Sequence, residues 1–138
     1  MKKIIVLALV ALLLAGLCAC DSGEKITFKN DHINSVHSIY VSTVNTDEWG
    51  EPLNYAIVKK GSSISISFDK FAANGAVYDI AVLEDSDMLY EFYEVPLAVG
   101  DTLAFSGAGM FGTLIVTGTD GSEETFQGNG EKVETVQR

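Results

Sequence analysis

Ser63-Ile64-Ser65-Ile66-Ser67-Phe68 is the stretch that decides the fold class. Ile64, Ile66 and Phe68 fall on one face and the serines on the other, the period of a half-buried β-strand. Gly61-Ser62 ahead of it reads as a turn. Working outward, Ile26-Thr27-Phe28, Ser38 to Ser42 and Tyr55 to Val58 are short β-branched or aromatic runs of the same kind. Val77 to Leu83 and Leu89 to Leu97 flank the polar turn Glu84-Asp85-Ser86-Asp87, so this pair reads as a hairpin. Thr102 to Phe105 and Thr113 to Thr117 surround a Gly-rich connection, and Asp120-Gly121 is a tight-turn dipeptide before Thr125-Phe126. No stretch of ten residues or more carries apolar residues at helical spacing. The pattern predicts an all-β fold, an antiparallel sandwich or barrel, and of the two we expect a single antiparallel β-sandwich, Ig-like or similar, of about seven or eight strands over residues 26–127. Residues 128–138 read as a polar tail.

The N-terminus has a different logic. Lys2 and Lys3 precede 11 apolar residues, Ile4 to Leu14, which suit a secretory signal and are too few to span a membrane. Leu17-Cys18-Ala19-Cys20 resembles a bacterial lipobox, with Leu17 three before and Ala19 one before the modified Cys20. That resemblance implies cleavage after residue 19, a lipid such as palmitate on Cys20, a stem over residues 20–25, and a place in the cell envelope, tethered to a membrane. A chain starting at Cys20 has no partner for an internal disulfide, so its core alone must hold it.

With residues 1–19 removed, 119 residues remain, the size of one domain. They carry 7 Lys and Arg against 19 Asp and Glu, a formal net charge of −12. Nucleic-acid phosphates and anionic lipid headgroups would be repelled. A basic partner or a cation is compatible.

Residues 26–95 resemble an uncharacterised group of small exported bacterial β-domains. The likeness rests on Asn30, Ile39-Tyr40-Val41-Ser42, Asp47-Glu48-Trp49-Gly50, Gly61-Ser62-Ser63, Ile64-Ser65-Ile66 and Tyr78-Asp79-Ile80. It implies a fold and export rather than an activity.

Candidate chemistry is thin. Asn45, Asp47 and Gly50 sit at calcium-loop positions, but Trp49 stands where a ligand should be and Ala56 where the bidentate Glu should be, which excludes an EF-hand. Asp47, Trp49 and Gly50 are instead the candidate partner-binding loop, because Trp is a common interface anchor. Glu84, Asp85 and Asp87 are a weaker candidate for Ca²⁺, with no other cofactor implied. Gly107 to Gly112 matches G-x-G-x-x-G, yet a strand follows where a dinucleotide site needs a helix. His32 and His37 lack metal spacing. Asp79, Glu91 and Glu94 read as wet strand faces, and Tyr78, Tyr90, Phe92 and Tyr93 as core and cross-strand packing. No catalytic constellation stands out. The expectation is a non-enzymatic binding or interaction module with a protein or glycan ligand. The alternatives are an acidic inhibitor of a basic envelope enzyme, or a hydrolase using surface carboxylates.

Overall fold

The structure, a computed structural model, describes residues 24–44, 48–67 and 77–134. Cys20 and Asp47 lie outside the described residues. Eight strands follow in chain order: β1 (Lys25–Asn30), β2 (Val36–Thr43), β3 (Ser63–Ser67), β4 (Val77–Glu84), β5 (Met88–Pro96), β6 (Thr102–Ala108), β7 (Phe111–Thr117) and β8 (Glu123–Lys132). Among the described residues there is no helix, and so none long and apolar enough to cross a membrane.

The strands form one mixed sheet, ordered β2-β4-β5-β8-β7-β6-β1-β3 and curled into a half-barrel. The expected antiparallel sandwich is corrected in two respects. A single continuous sheet replaces two stacked ones, and β1 pairs parallel with β6, Thr27 opposite Thr102 and Asn30 opposite Phe105. Turn signals fix only neighbours joined by a hairpin, such as β4-β5 and β6-β7. The seating of β1 between β3 and β6 is a non-local pairing that no turn announces.

Two further expectations change. Tyr55 to Val58 is not a strand; only Val58 makes an isolated bridge, to Val36. The stretch read as a polar tail continues β8 as far as Lys132, paired with Met88. Its glycines look like breakers in sequence. In the sheet they are the flat backs of two aromatic rings. A Cβ on Gly128 would stand 2.6 Å from the Glu91 carbonyl oxygen and 2.7 Å from the Phe92 ring, and one on Gly130 would stand 2.7 Å from the Tyr90 ring. Only glycine admits that approach.

The curl wraps a core in which Phe105 is the hub. Its ring centroid lies 5.3 Å from Tyr90, 6.2 Å from Phe92 and 6.4 Å from Phe28, and all four residues are buried. Each such side chain contributes roughly 1.5–3 kcal/mol by leaving water. β5 shows how the phase is controlled. Tyr78 faces Val95 while Ile80 faces Phe92, so Tyr93 and Glu94 together oppose Asp79. This is a β-bulge, with Glu94 at φ 55°. The extra residue turns Phe92 and Val95 to the same inner face. Asp79, expected on a wet face, is buried beside the bulge, and its Oδ1 accepts the Glu94 N–H at 2.9 Å.

The pairings also give the molecule a polarity. β1, β4, β6 and β8 run one way, and β2, β3, β5 and β7 the other. The connections 31–35, 85–87 and 109–110 therefore gather at one pole. The start of β1, where the N-terminal stem joins, is at the other, roughly 20 Å away along strands of this length.

Candidate functional site

The outer edge of β2 is covered by irregular chain, and this builds one wall of a groove. Val36 and Val58 exchange both backbone hydrogen bonds at 2.9 Å, and Leu53 N–H donates to the Ile39 carbonyl at 2.8 Å. Asn54 completes the pairing with its side chain. Its Oδ1 accepts the Ile39 N–H at 2.8 Å, and its Nδ2 donates to the carbonyls of His37 and Ala56 at 2.9 and 3.0 Å. A strand edge that would otherwise invite another chain is thereby satisfied. Gly50, at φ 73°, supplies the left-handed turn that starts this covering segment.

Trp49 is set down on the outer face of β5. Its Nε1 donates to Glu91 Oε1 at 3.2 Å, while the Tyr93 hydroxyl donates to Glu91 Oε2 at 2.8 Å. Accepting that bond, Glu91 holds the Tyr93 phenol above its ordinary pKa, with partial burial adding to the effect. One carboxylate thus joins two aromatic side chains on the wet side of the sheet.

Between the covering segment and strands β2, β4 and β5 lies a groove of about 840 Å³. Tyr40, Trp49 and Tyr55 give it aromatic walls, and Ile57, Leu83 and Leu89 an apolar floor. Tyr55 is 92% exposed, unusual for so large a ring. His37, Ser38 and Asn54 add polar groups, and Asp85, Asp87 and Glu134 line one end. Among the described residues no lysine or arginine lines it. Trp49 and the acidic turn, separate candidates in the sequence, share this one concavity. Gly50 acts on it through backbone only.

The three turn carboxylates have unequal roles. Glu84 is 4% exposed and bonded internally: to the His32 Nε2, to the Ser86 hydroxyl, and to Asn34 Nδ2 at 3.2 Å. Asp85 is exposed and Asp87, at φ 62°, half-buried. Among the described residues no three His, Cys, Asp or Glu side chains form a group able to hold a metal ion. The serine meets the carboxylate and not the imidazole, so Ser86, Glu84 and His32 do not form a nucleophile–base relay.

The His32–Glu84 pair is the feature sequence reasoning missed. The partners are 52 residues apart, and no local pattern links them. Asn30 prepares it. Its Oδ1 accepts the His32 N–H at 2.9 Å, and its Nδ2 donates to the carbonyls of Asn34 and Val58, each at 2.9 Å. The His32 ring packs 5.3 Å from Phe105 and 6.0 Å from Tyr90, and its Nδ1 is buried without a hydrogen-bond partner among the described residues. With the Asp85 N–H donating to the Ser35 carbonyl at 3.1 Å, the pair clamps the 31–35 connection to the 85–87 turn. It shapes the acidic end of the groove from behind.

The G-x-G-x-x-G run is likewise a packing device. Gly107 and Gly112 face each other across β6 and β7, and added Cβ atoms there would press on His32 and Tyr90. The Tyr90 hydroxyl donates to the Gly109 carbonyl at 2.7 Å, and burial, with the nearby Glu84 charge, raises its pKa.

Comparison with family models, with curated proteins and with solved structures gives no match.

Proposed function

We propose that this protein is a lipid-anchored, non-enzymatic binding module of the bacterial cell envelope, and that the groove bounded by Trp49, Tyr55 and the 85–87 turn is its binding site. The observation that carries this reading is the groove itself. Exposed aromatic rings, an apolar floor and a few polar groups meet there, the composition of ligand sites in general. Strand direction supports the tether. The stem enters at one pole and the acidic end of the groove opens at the other, so an anchor on Cys20 leaves the site facing away from the membrane. Two acyl signals or more on Cys20 suffice for firm anchoring. The domain's net charge of −12 repels anionic lipid, which favours a role for the groove in solution contacts.

Two measurements test this. Labelled palmitate should enter the wild-type chain and not Cys20→Ala, which should leave the membrane fraction. A photo-crosslinking residue at Tyr55 should capture a partner in living cells, and Trp49→Ala should abolish the adduct. Equal capture from Val99, exposed at the opposite pole, would remove the groove from consideration.

A further inference from the structure

We infer that the groove takes a neutral oligosaccharide of equatorially substituted pyranoses, its ring faces laid on Trp49, Tyr40 and Tyr55 and its hydroxyls reaching Asp85 at the turn. This rests on the binding-module reading and adds the ligand's chemistry. Three observations lead to it.

First, the groove is graded from aromatic ring to carboxylate along the strands. Tyr40, Ala81 and Glu91 are cross-strand neighbours on β2, β4 and β5. Trp49, bonded to Glu91, and Tyr40 thus belong to one row of the outer face. The next row toward the turn is Ser38, Leu83 and Leu89, about 7 Å further on. Asp85 follows two residues beyond Leu83 and is exposed. A pyranose with equatorial substituents has the same two characters. Its axial C–H groups make an apolar face that suits the electron-rich face of an aromatic ring. Its rim carries hydroxyls that donate to a carboxylate.

Second, most of the carboxylates near the groove are engaged within the protein, which favours a ligand without charge. Both Glu91 oxygens accept bonds, from Trp49 and from Tyr93. Glu84 is buried and bonded to His32, Asn34 and Ser86. Asp87 has a partner within the chain and shares a neighbouring hollow with Lys132 and Glu134. Asp85 and Glu134 then act as hydrogen-bond acceptors rather than as an unbalanced field. An anionic ligand would meet these two with no lysine or arginine among the described lining residues to receive it. A point cation would need converging ligands, and no such group forms among the described residues.

Third, the platform is held and the strand edge is closed. The bond from Trp49 Nε1 to Glu91 sets the tilt of the indole, and a ring already held loses less freedom on binding. The backbone groups of Val36, His37 and Ile39 are taken by Val58, Asn54 and Leu53, so a peptide does not add to β2 as a strand. Recognition falls to ring faces and side chains. At about 840 Å³ the groove has the room of a large ligand site, more than one sugar ring needs.

The test uses the full chain in a detergent without a sugar headgroup. Trp49 is the chain's single tryptophan, so its emission reports occupancy of the groove. The probes are cellohexaose, chitohexaose and, as the anionic control, a galacturonate hexamer. A saturable change is expected with a neutral probe, at a dissociation constant of about 1 mM or below and insensitive to salt. The galacturonate should bind about tenfold more weakly or not at all. By calorimetry, Trp49→Ala should lower the affinity about tenfold or more, while Trp49→Phe, which keeps a ring face, should retain most of it. Asp85→Ala should weaken binding about threefold or more. If galacturonate binds as tightly as the neutral probes, the neutral ligand is overturned. If Trp49→Ala binds as well as the wild type, the aromatic platform is overturned. If neither neutral probe saturates while crosslinking from Tyr55 still captures a protein, the saccharide is overturned and the binding module stands. Failure of both ends the two together.

Discussion

The two faces of β5 were made by the same nine residues and do opposite work. On the inner face, Tyr90 and Phe92 lie against glycines of β7 and β8 at distances that leave no room for a Cβ. On the outer face, Leu89 floors an open groove and Glu91 ties Trp49 to Tyr93. The inner face gains from closeness and has nothing left to offer a ligand. The outer face gives up burial of large rings and keeps them available. The difference shows that aromatic content alone does not separate core from site. On β5 the neighbours separate them: glycines lie under Tyr90 and Phe92, and the Glu91 carboxylate lies beside Tyr93 and Trp49.

The sharpest break should come at the inner side of the turn. Glu84→Ala leaves His32 buried without its partner and should cost about 3–5 kcal/mol in chemical denaturation. Because Glu84 also anchors the turn, the same variant should blur the groove's acidic end, visible as altered amide shifts at Asp85 and Asp87. Next, Gly128→Ala places a methyl group against the Glu91 carbonyl and the Phe92 ring, and should lose about 1–3 kcal/mol by overpacking.

The tyrosines compare the two faces within one strand. Tyr90 and Tyr93 both have phenol pKa values raised in the folded state. A raised pKa means stability that is complete below the unfolded value, near 10, and lost as pH rises through the folded value. Thermal melts taken upward from pH 8 should therefore fall steeply in the wild type. Tyr90→Phe, on the inner face, should flatten that fall more than Tyr93→Phe, whose ring is 59% exposed. The smallest effect on folding belongs to Trp49→Ala, under about 1 kcal/mol, since it removes an outer contact and no core ring. A large loss there would mean that the groove wall is part of the fold.

How much of this was legible follows the same division. Strands with alternation or hairpin turns, such as Ser63–Ser67 and the β4-β5 pair, could be read because their signals are local. The Tyr55–Val58 run could not, because Asn54, a polar residue, takes most of the pairing on β2 and leaves Val58 a single bridge. Gly128 and Gly130 read as tail because glycine disfavours strands unless a ring lies over it, and that ring is remote in sequence. Trp49 and the acidic turn could be picked out as separate candidates from residue type, but not their meeting.

By itself, then, the sequence determined the all-β class, the hairpins, the acidic balance and the unusual residues, since each depends on neighbours a few positions away. The tertiary structure alone decided that β1 lies parallel to β6, that His32 finds Glu84, and that Trp49 and the turn line one groove. These are contacts between segments tens of residues apart, chosen by how the curled sheet closes over its core, and local pattern holds no record of that closure.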